Sequence, residues 1–149
     1  MRRRRCHVAP ERIMGGLEVI LLDTCALIFD ALTPERLSKK AARSIEEGDE
    51  TNELFCSDIS LWEIAMLIEK GRLCPGTKTD DFLRSMLDSR GIKTLAITPS
   101  IAYLSASYKH FEHNDPADRI ITATALTNKC PVITSDSLLK KIKGLNIIW

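Results

Sequence analysis

The sequence predicts an α/β protein, a three-layer α/β/α architecture around a central parallel sheet, and three observations carry that reading. Segments of β type and helical type alternate along the chain, the pattern of strands joined by crossover helices. The first β-type run, Leu17 to Leu22, is almost wholly apolar, as in a strand covered on both faces. With 149 residues, 44% of them apolar, the chain can fill one core but is short for two.

Taken in order, the first strand ends at Asp23, and Thr24 to Ala31 is helical. Thr33 and Pro34 supply an N-cap and a first-turn proline for a second helix ending near Gly48. Glu53 to Cys56 is the second strand. Ser57 and Asp58 cap a helix running to about Lys70, where Gly71 takes the terminating position. A helix over Thr79 to Arg90 precedes a third strand at Ile92 to Ile97, and Thr98-Pro99 repeats the cap-and-proline start. Asp115-Pro116 opens a helix through Asn128. Pro131 to Thr134 is a fourth strand, Asp136 to Ile142 a short helix, and Asn146 to Trp149 a small last strand.

Charge and cysteine usage exclude several function classes. The net charge is +1, but five arginines fall within residues 1–13, and from Met14 onward sixteen basic residues face nineteen acidic ones. Such a body lacks the basic footprint of a duplex-DNA binder, so any nucleic-acid contact must be local. Residues 1–13 read as an arginine-rich mobile leader, or as lying ahead of the true start, with Met14-Gly15-Gly16 opening a single domain over residues 14–149. No apolar stretch follows the Arg2 to Arg5 run as a signal peptide requires, and none is long enough to span a bilayer. Five cysteines without C-x-x-C spacing suggest neither a zinc site nor a disulfide framework, and they fit a reducing cytoplasm.

The chemistry lies in the acids. Ligands of an open α/β sheet bind beyond the carboxyl ends of its strands; Asp23 ends the first strand and Asp136 follows the fourth by two residues, so both project to that edge. Asp118 is in the first turn of the helix before the fourth strand, and that helix start is expected at the opposite edge unless the connection over residues 98–117 brings the chain back. On the helix of Glu63, Leu61, Ile64, Ala65 and Ile68 form one stripe, while Ile59, Met66 and Leu67 share the side of the glutamate. A helix apolar nearly all round is buried, so Glu63 is expected near the interior with something positive beside it.

Each aspartate alone has a capping role open to it: Asp23 and Asp136 for the helices after them, Asp115 before Pro116, and Asp118 through the helix dipole. Jointly the balance changes, because carboxylates about 4 Å apart repel by ~4 kcal/mol per pair at an effective dielectric of 20. A cluster of four demands a cation, and hard oxygen donors suit Mg²⁺ or Mn²⁺.

Four segments carry a resemblance: Leu21-Leu22-Asp23-Thr24-Cys25-Ala26-Leu27, Ser60-Leu61-Trp62-Glu63-Ile64-Ala65, His113-Asn114-Asp115-Pro116-Ala117-Asp118-Arg119-Ile120-Ile121 and Ile133-Thr134-Ser135-Asp136. In order and spacing they resemble the four acidic motifs of PIN-domain ribonucleases, nearest to the VapC-type toxins of toxin-antitoxin pairs, over about Leu17 to Trp149. The resemblance implies a PIN-like fold, an RNA substrate, and one or two Mg²⁺ or Mn²⁺ ions held by Asp23, Glu63, Asp118 and Asp136. It also implies a small antitoxin partner that inserts a segment near the acidic pocket, and a homodimer. Asp115, Thr24, Thr134 and Arg119 are supporting residues of these motifs.

The implied reaction is metal-assisted hydrolysis of an RNA phosphodiester without a covalent enzyme intermediate, so neither Ser135 nor any cysteine is assigned as nucleophile. His110 and His113 are read as surface or packing residues. A haloacid-dehalogenase type of phosphatase needs a second aspartate two residues after the first, where this chain has Cys25. A non-catalytic protein-binding module on the same fold is the other alternative, against which the presence of all four acids counts.

Overall fold

A computed structural model describes residues 18–109, 111 and 115–149. The leader at residues 1–13, the Met14-Gly15-Gly16 start, His110 and His113 lie outside them.

Five strands form one parallel sheet: β1 (Ile20–Leu22), β2 (Leu54–Ser57), β3 (Lys93–Leu95), β4 (Val132–Ile133) and β5 (Ile147–Ile148), in the order β3-β2-β1-β4-β5. Register aligns Leu21 with Phe55 and Val132, and Leu22 with Cys56 and Ile133. Because successive strand residues point to opposite faces, the first trio joins one apolar layer and the second trio the other. The helices covering the sheet are α1 (Thr24–Leu32), α2 (Lys39–Thr51), α3 (Asp58–Glu69), α4 (Thr79–Ser89), α5 (Pro99–Ser107) and α6 (Pro116–Asn128). Leu27 of α1, Ile45 of α2, Ile64 of α3 and Met86 of α4 pack in the layer of Leu22. Ile121 and Ala125 of α6 fill the layer of Leu21. The three-layer α/β/α expectation therefore holds. Among the described residues no helix is long and apolar enough to cross a membrane.

Several local expectations are corrected. Thr33 and Pro34 start only a 3-10 turn over Pro34–Arg36; the chain then extends at Leu37, and Ser38 caps α2 by accepting the Ala41 N–H at 3.0 Å. Gly48 does not end α2 but lies inside it, where a Cβ would stand 2.5 Å from Leu54 Cδ2. Its missing side chain lets α2 lie directly on β2, and Asn52, left-handed at φ 58°, ends the helix instead. The helix expected over Asp136 to Ile142 shrinks to a 3-10 turn at Leu139–Lys141.

The expected obstacle to Asp118 also disappears. A helix running antiparallel to the strands starts where the strands end, so α6, which closes at Asn128 just before β4, has its first turn at the carboxyl edge of the sheet. No return of the chain over residues 98–117 is required to explain it. The strand order adds the crevice: the chain winds outward from β1 through β2 to β3 and resumes on the other side of β1 at β4. The carboxyl ends of β1 and β4 flank this switch point, the place where open α/β sheets bind ligands.

Candidate active site

Asp23 forms the floor of the crevice. It follows β1 directly, is 6% exposed, and caps α1, its Oδ1 accepting the Ala26 N–H at 2.7 Å. The Thr134 hydroxyl, just beyond β4, donates to the same carboxylate and accepts the Asp136 N–H at 3.1 Å. One threonine thus ties the first acid to the loop of the fourth. Burial pushes the Asp23 carboxyl up from 3.8 to about 6; its two hydrogen bonds oppose the shift, and the nearby charges of Asp118 and Asp136 add to it.

Glu63 stands on the wall. Ser57 caps α3 by accepting the Ile59 N–H at 3.3 Å, which sets the phase of the helix. Thr24 Oγ1 lies 2.9 Å from Glu63 Oε2 and 3.1 Å from Ser60 Oγ. A hydroxyl has one proton and a carboxylate only accepts, so Thr24 donates to Glu63 and receives from Ser60. Ser60, fully buried, was not singled out by the sequence; its signal was the spacing of three from Glu63 on one helical face.

Glu63 is half-buried rather than interior, because the second apolar side of α3 borders an open cleft instead of the core. Partial burial raises its carboxyl, Thr24 lowers it, and Asp115 and Asp118 raise it further. The positive group expected beside Glu63 is not there among the described residues: Lys70 and Arg72 line the same cleft but neither is ion-paired with it, and its hydrogen-bond partner is the Thr24 hydroxyl.

The first turn of α6 and its cap supply Asp118 and Asp115, and the loop after β4 supplies Asp136. Exposed Asp115 is the N-cap, accepting the Ala117 N–H at 2.8 Å, so the capping alternative holds for it. Half-buried Asp118 is near enough to both Asp23 and Glu63 for its charge to add to the rise of their carboxyls. Half-buried Asp136 accepts the Leu138 N–H at 2.9 Å and closes a tight turn. Arg119 donates to the Ser105 carbonyl at 2.8 Å and the Ala106 carbonyl at 3.3 Å, with its guanidinium 4.9 Å from the Phe111 ring centre. These contacts fasten the start of α6 to the end of α5.

A single probe atom registers the convergence. The Cys25 thiol is pushed up to about 11, first by burial and then by the charges of Asp23, Glu63, Asp118 and Asp136 together. A thiol so disfavoured as thiolate is a poor nucleophile, in line with its having no assigned role. Among the described residues no three His, Cys, Asp or Glu side chains approach closely enough to hold an ion as they stand. Burial is the main cause of the raised Asp23 and Glu63 carboxyls, and the charges of neighbouring acids add to it. The donors at the crevice are carboxylate oxygens with no described histidine, a set that fits a hard divalent cation rather than zinc.

Comparison with known proteins gives a consistent picture. The PIN domain family matches residues 20–145. A protein named Ribonuclease VapC22, from Mycobacterium tuberculosis, is 32% identical over 124 residues, covering 83% of this chain and 92% of its own length. Among solved structures, VapBC2 from Rickettsia felis, bound to a DNA fragment from its promoter, superposes with a TM-score of 0.64 at 16% identity, covering 87% of this chain and 96% of its own. A toxin-antitoxin complex from Klebsiella pneumoniae does so with a TM-score of 0.56 at 20% identity, over 85% and 94% of the respective chains. At these identities the structural likenesses speak for the fold.

Proposed function

Because this chain belongs to the PIN domain family, we propose that it is a divalent-metal-dependent endoribonuclease and the toxin of a toxin-antitoxin pair. One observation carries the reading: at the switch point of the sheet Asp23 ends β1, Asp136 follows β4, Asp118 lies in the first turn of α6 at the same edge, and Glu63 is joined to them through Thr24 next to Asp23. Bringing carboxylates of like charge to one edge of a sheet costs folding energy, so their convergence speaks for a cation-dependent task. The ribonuclease relative supplies the substrate class, and the toxin-antitoxin complex of the same fold supplies the kind of partner.

Asp23, Glu63, Asp118 and Asp136 are the residues that would hold Mg²⁺ or Mn²⁺, in one or two ions. Such a cation, when bound, offsets the mutual repulsion, takes phosphate oxygens, and acidifies a water for in-line attack on the phosphodiester. The chain itself orients the ligands. Ala26 N–H and Thr134 fix Asp23, and the Ser60–Thr24 hydroxyl relay fixes Glu63. Asp23, with its carboxyl near 6, carries a proton over part of the mildly acidic range and must release it before it can act as a ligand. By the likeness to toxin complexes, an antitoxin would cover the acidic depression, and a homodimer is the assembly expected of this type.

The test is cleavage of RNA by the purified chain with millimolar Mg²⁺ or Mn²⁺, followed by chelation. Cleavage that stops on chelation and is absent from Asp118→Asn supports the reading. Cleavage by Asp118→Asn at the rate of the unaltered protein would sink it.

A further inference from the structure

A cleft of about 300 Å³ opens directly beside the acids, between one face of α3 and the first turn of α6. Its α3 wall presents Glu63, Met66 and Lys70 with Trp62 alongside, and Arg72 follows just after the helix. Asp115 marks the opposite lip. Trp62 is 58% exposed, one of the three large apolar side chains so exposed among the described residues. An indole left in water beside a cluster of acids contributes little to folding. Glu63 and Lys70 are seven residues apart, which on a helix is about 10 Å. The cleft therefore carries both signs: Trp62 and Glu63 are neighbours on α3 with Asp115 on the opposite lip, Met66 follows about one turn on, and Lys70 and Arg72 line the far end. Neither cation forms an ion pair with a described residue.

We propose that this cleft is a nucleotide subsite for single-stranded RNA, in which Trp62 stacks on the base next to the scissile phosphate while Lys70 and Arg72 hold a neighbouring phosphate. The inference rests on the nuclease reading for the position of the scissile phosphate, and adds how the strand is gripped. The charge order favours a polyanion over a peptide. A strand whose reacting phosphate sits at the carboxylates needs an aromatic face for an adjoining base and a positive group for a neighbouring phosphate; the cleft offers Trp62 beside Glu63 for the first and Lys70 with Arg72 for the second. It also answers the mildly acidic body of the protein, since the positive charge required is local and amounts to two side chains.

The experiment reads binding without cleavage. The chain has two tryptophans, Trp62 and Trp149, so Trp149→Phe leaves Trp62 as the sole indole reporter. In the presence of a chelator, a short single-stranded oligoribonucleotide of mixed sequence should quench Trp62 fluorescence saturably. In the chain with Trp149 intact, Trp62→Ala should weaken binding of the same labelled oligonucleotide by about 5- to 100-fold, and Trp62→Phe should restore most of it. A Lys70→Ala/Arg72→Ala pair should weaken binding and flatten its dependence on salt. An RNA affinity unchanged in both Trp62→Ala and the double variant overturns the proposal, and points to a protein partner for the cleft. If the unaltered chain cleaves RNA while those variants keep its KM, the subsite fails and the nuclease reading survives. Quenching and its loss in the variants without any metal-dependent cleavage would leave the subsite standing and remove the nuclease.

Discussion

Two clusters of buried or half-buried carboxylates lie in this molecule, and they differ in one respect. In the first, Asp30 at the end of α1 and Asp49 in α2 share Arg90, which follows α4: the guanidinium meets both Asp30 oxygens at 3.0 and 3.2 Å and Asp49 at 3.2 Å. The side chain of Asp30 is only 8% exposed, yet its charge is answered by a paired fork, and the hydrogen bonds that Arg90 donates to Asp30 hold the guanidinium still more firmly protonated. The second cluster, at the ends of β1 and β4, gathers Asp23, Glu63, Asp118 and Asp136 around hydroxyls and backbone N–H groups. There the carboxyls of Asp23 and Glu63 rise. The lesson is that burial of acids alone does not mark a site. What distinguishes the two is that an arginine fork stands between the acids of the first, whereas in the second burial raises Asp23 and Glu63 and the neighbouring acids add to the rise.

The contrast is open to several tests, and the largest effect belongs to Asp23→Asn. It should reduce metal-dependent RNA cleavage by at least about a hundredfold, since Asp23 is proposed as a ligand rather than a helper. An asparagine oxygen can still accept the Ala26 N–H, and its amide can donate to Thr134 in place of accepting from it. The variant should therefore stay folded, and melt above the unaltered protein when both are metal-free. Full cleavage by the purified variant would falsify the assignment.

Next in size is the dependence of stability on pH. Between about 4 and 6 the folded chain holds a proton on Asp23 that the unfolded chain, with its carboxyl at 3.8, has released. Stability contributed by that proton is present below the unfolded value and is lost as pH rises through about 6. The span from 3.8 to about 6 corresponds to an upper figure of about 3 kcal/mol. Urea unfolding of the unaltered protein minus that of Asp23→Asn, metal-free, isolates this part from the other carboxylates. The difference, which favours Asp23→Asn at pH 7, should move toward the unaltered protein from pH 7 down to pH 4, and a flat difference would contradict the burial argument.

Arg90→Ala should act in the opposite sense, lowering stability by about 2 to 3 kcal/mol by leaving Asp30 buried without its partner, discounted for the 30% exposure of the arginine side chain. Cleavage per folded molecule should stay as it was, because the two clusters share no residue. The smallest effect expected is the shift of the thermal midpoint on adding Mg²⁺. A cation that binds only the folded chain stabilises it by about 1 to 3 kcal/mol at ten to a hundred times its Kd. Arg90→Ala should show the same upward shift and Asp23→Asn little or none. An equal shift in both would mean that the ion binds somewhere other than the acidic crevice.

The sequence by itself determined what rests on neighbours along the chain. The apolar run ending at Asp23, the cap of Ser57, and the Asp115-Pro116 start of α6 are local signals, and each element formed where its signal stood. The four acids and their order were legible for the same reason. Local signals failed where two competed or where packing intervened. Thr33-Pro34 reads as the start of the second helix, and the fold uses it for a single 3-10 turn while Ser38, not singled out by the sequence, caps α2. Gly48 looks like a terminator until Leu54 is seen against it.

Only the tertiary structure decided which acids keep company. Asp30 and Arg90 are sixty residues apart, and nothing near either announces the pair. Glu63 was expected inside the protein, because periodicity reports which faces of a helix are apolar but not whether a second element covers them; α3 leaves that face to a cleft. Asp118 joined the site through the direction of α6 relative to β4. Helix direction and strand order are properties of the whole sheet, fixed by burying both of its faces at once, and no stretch of sequence holds that information alone.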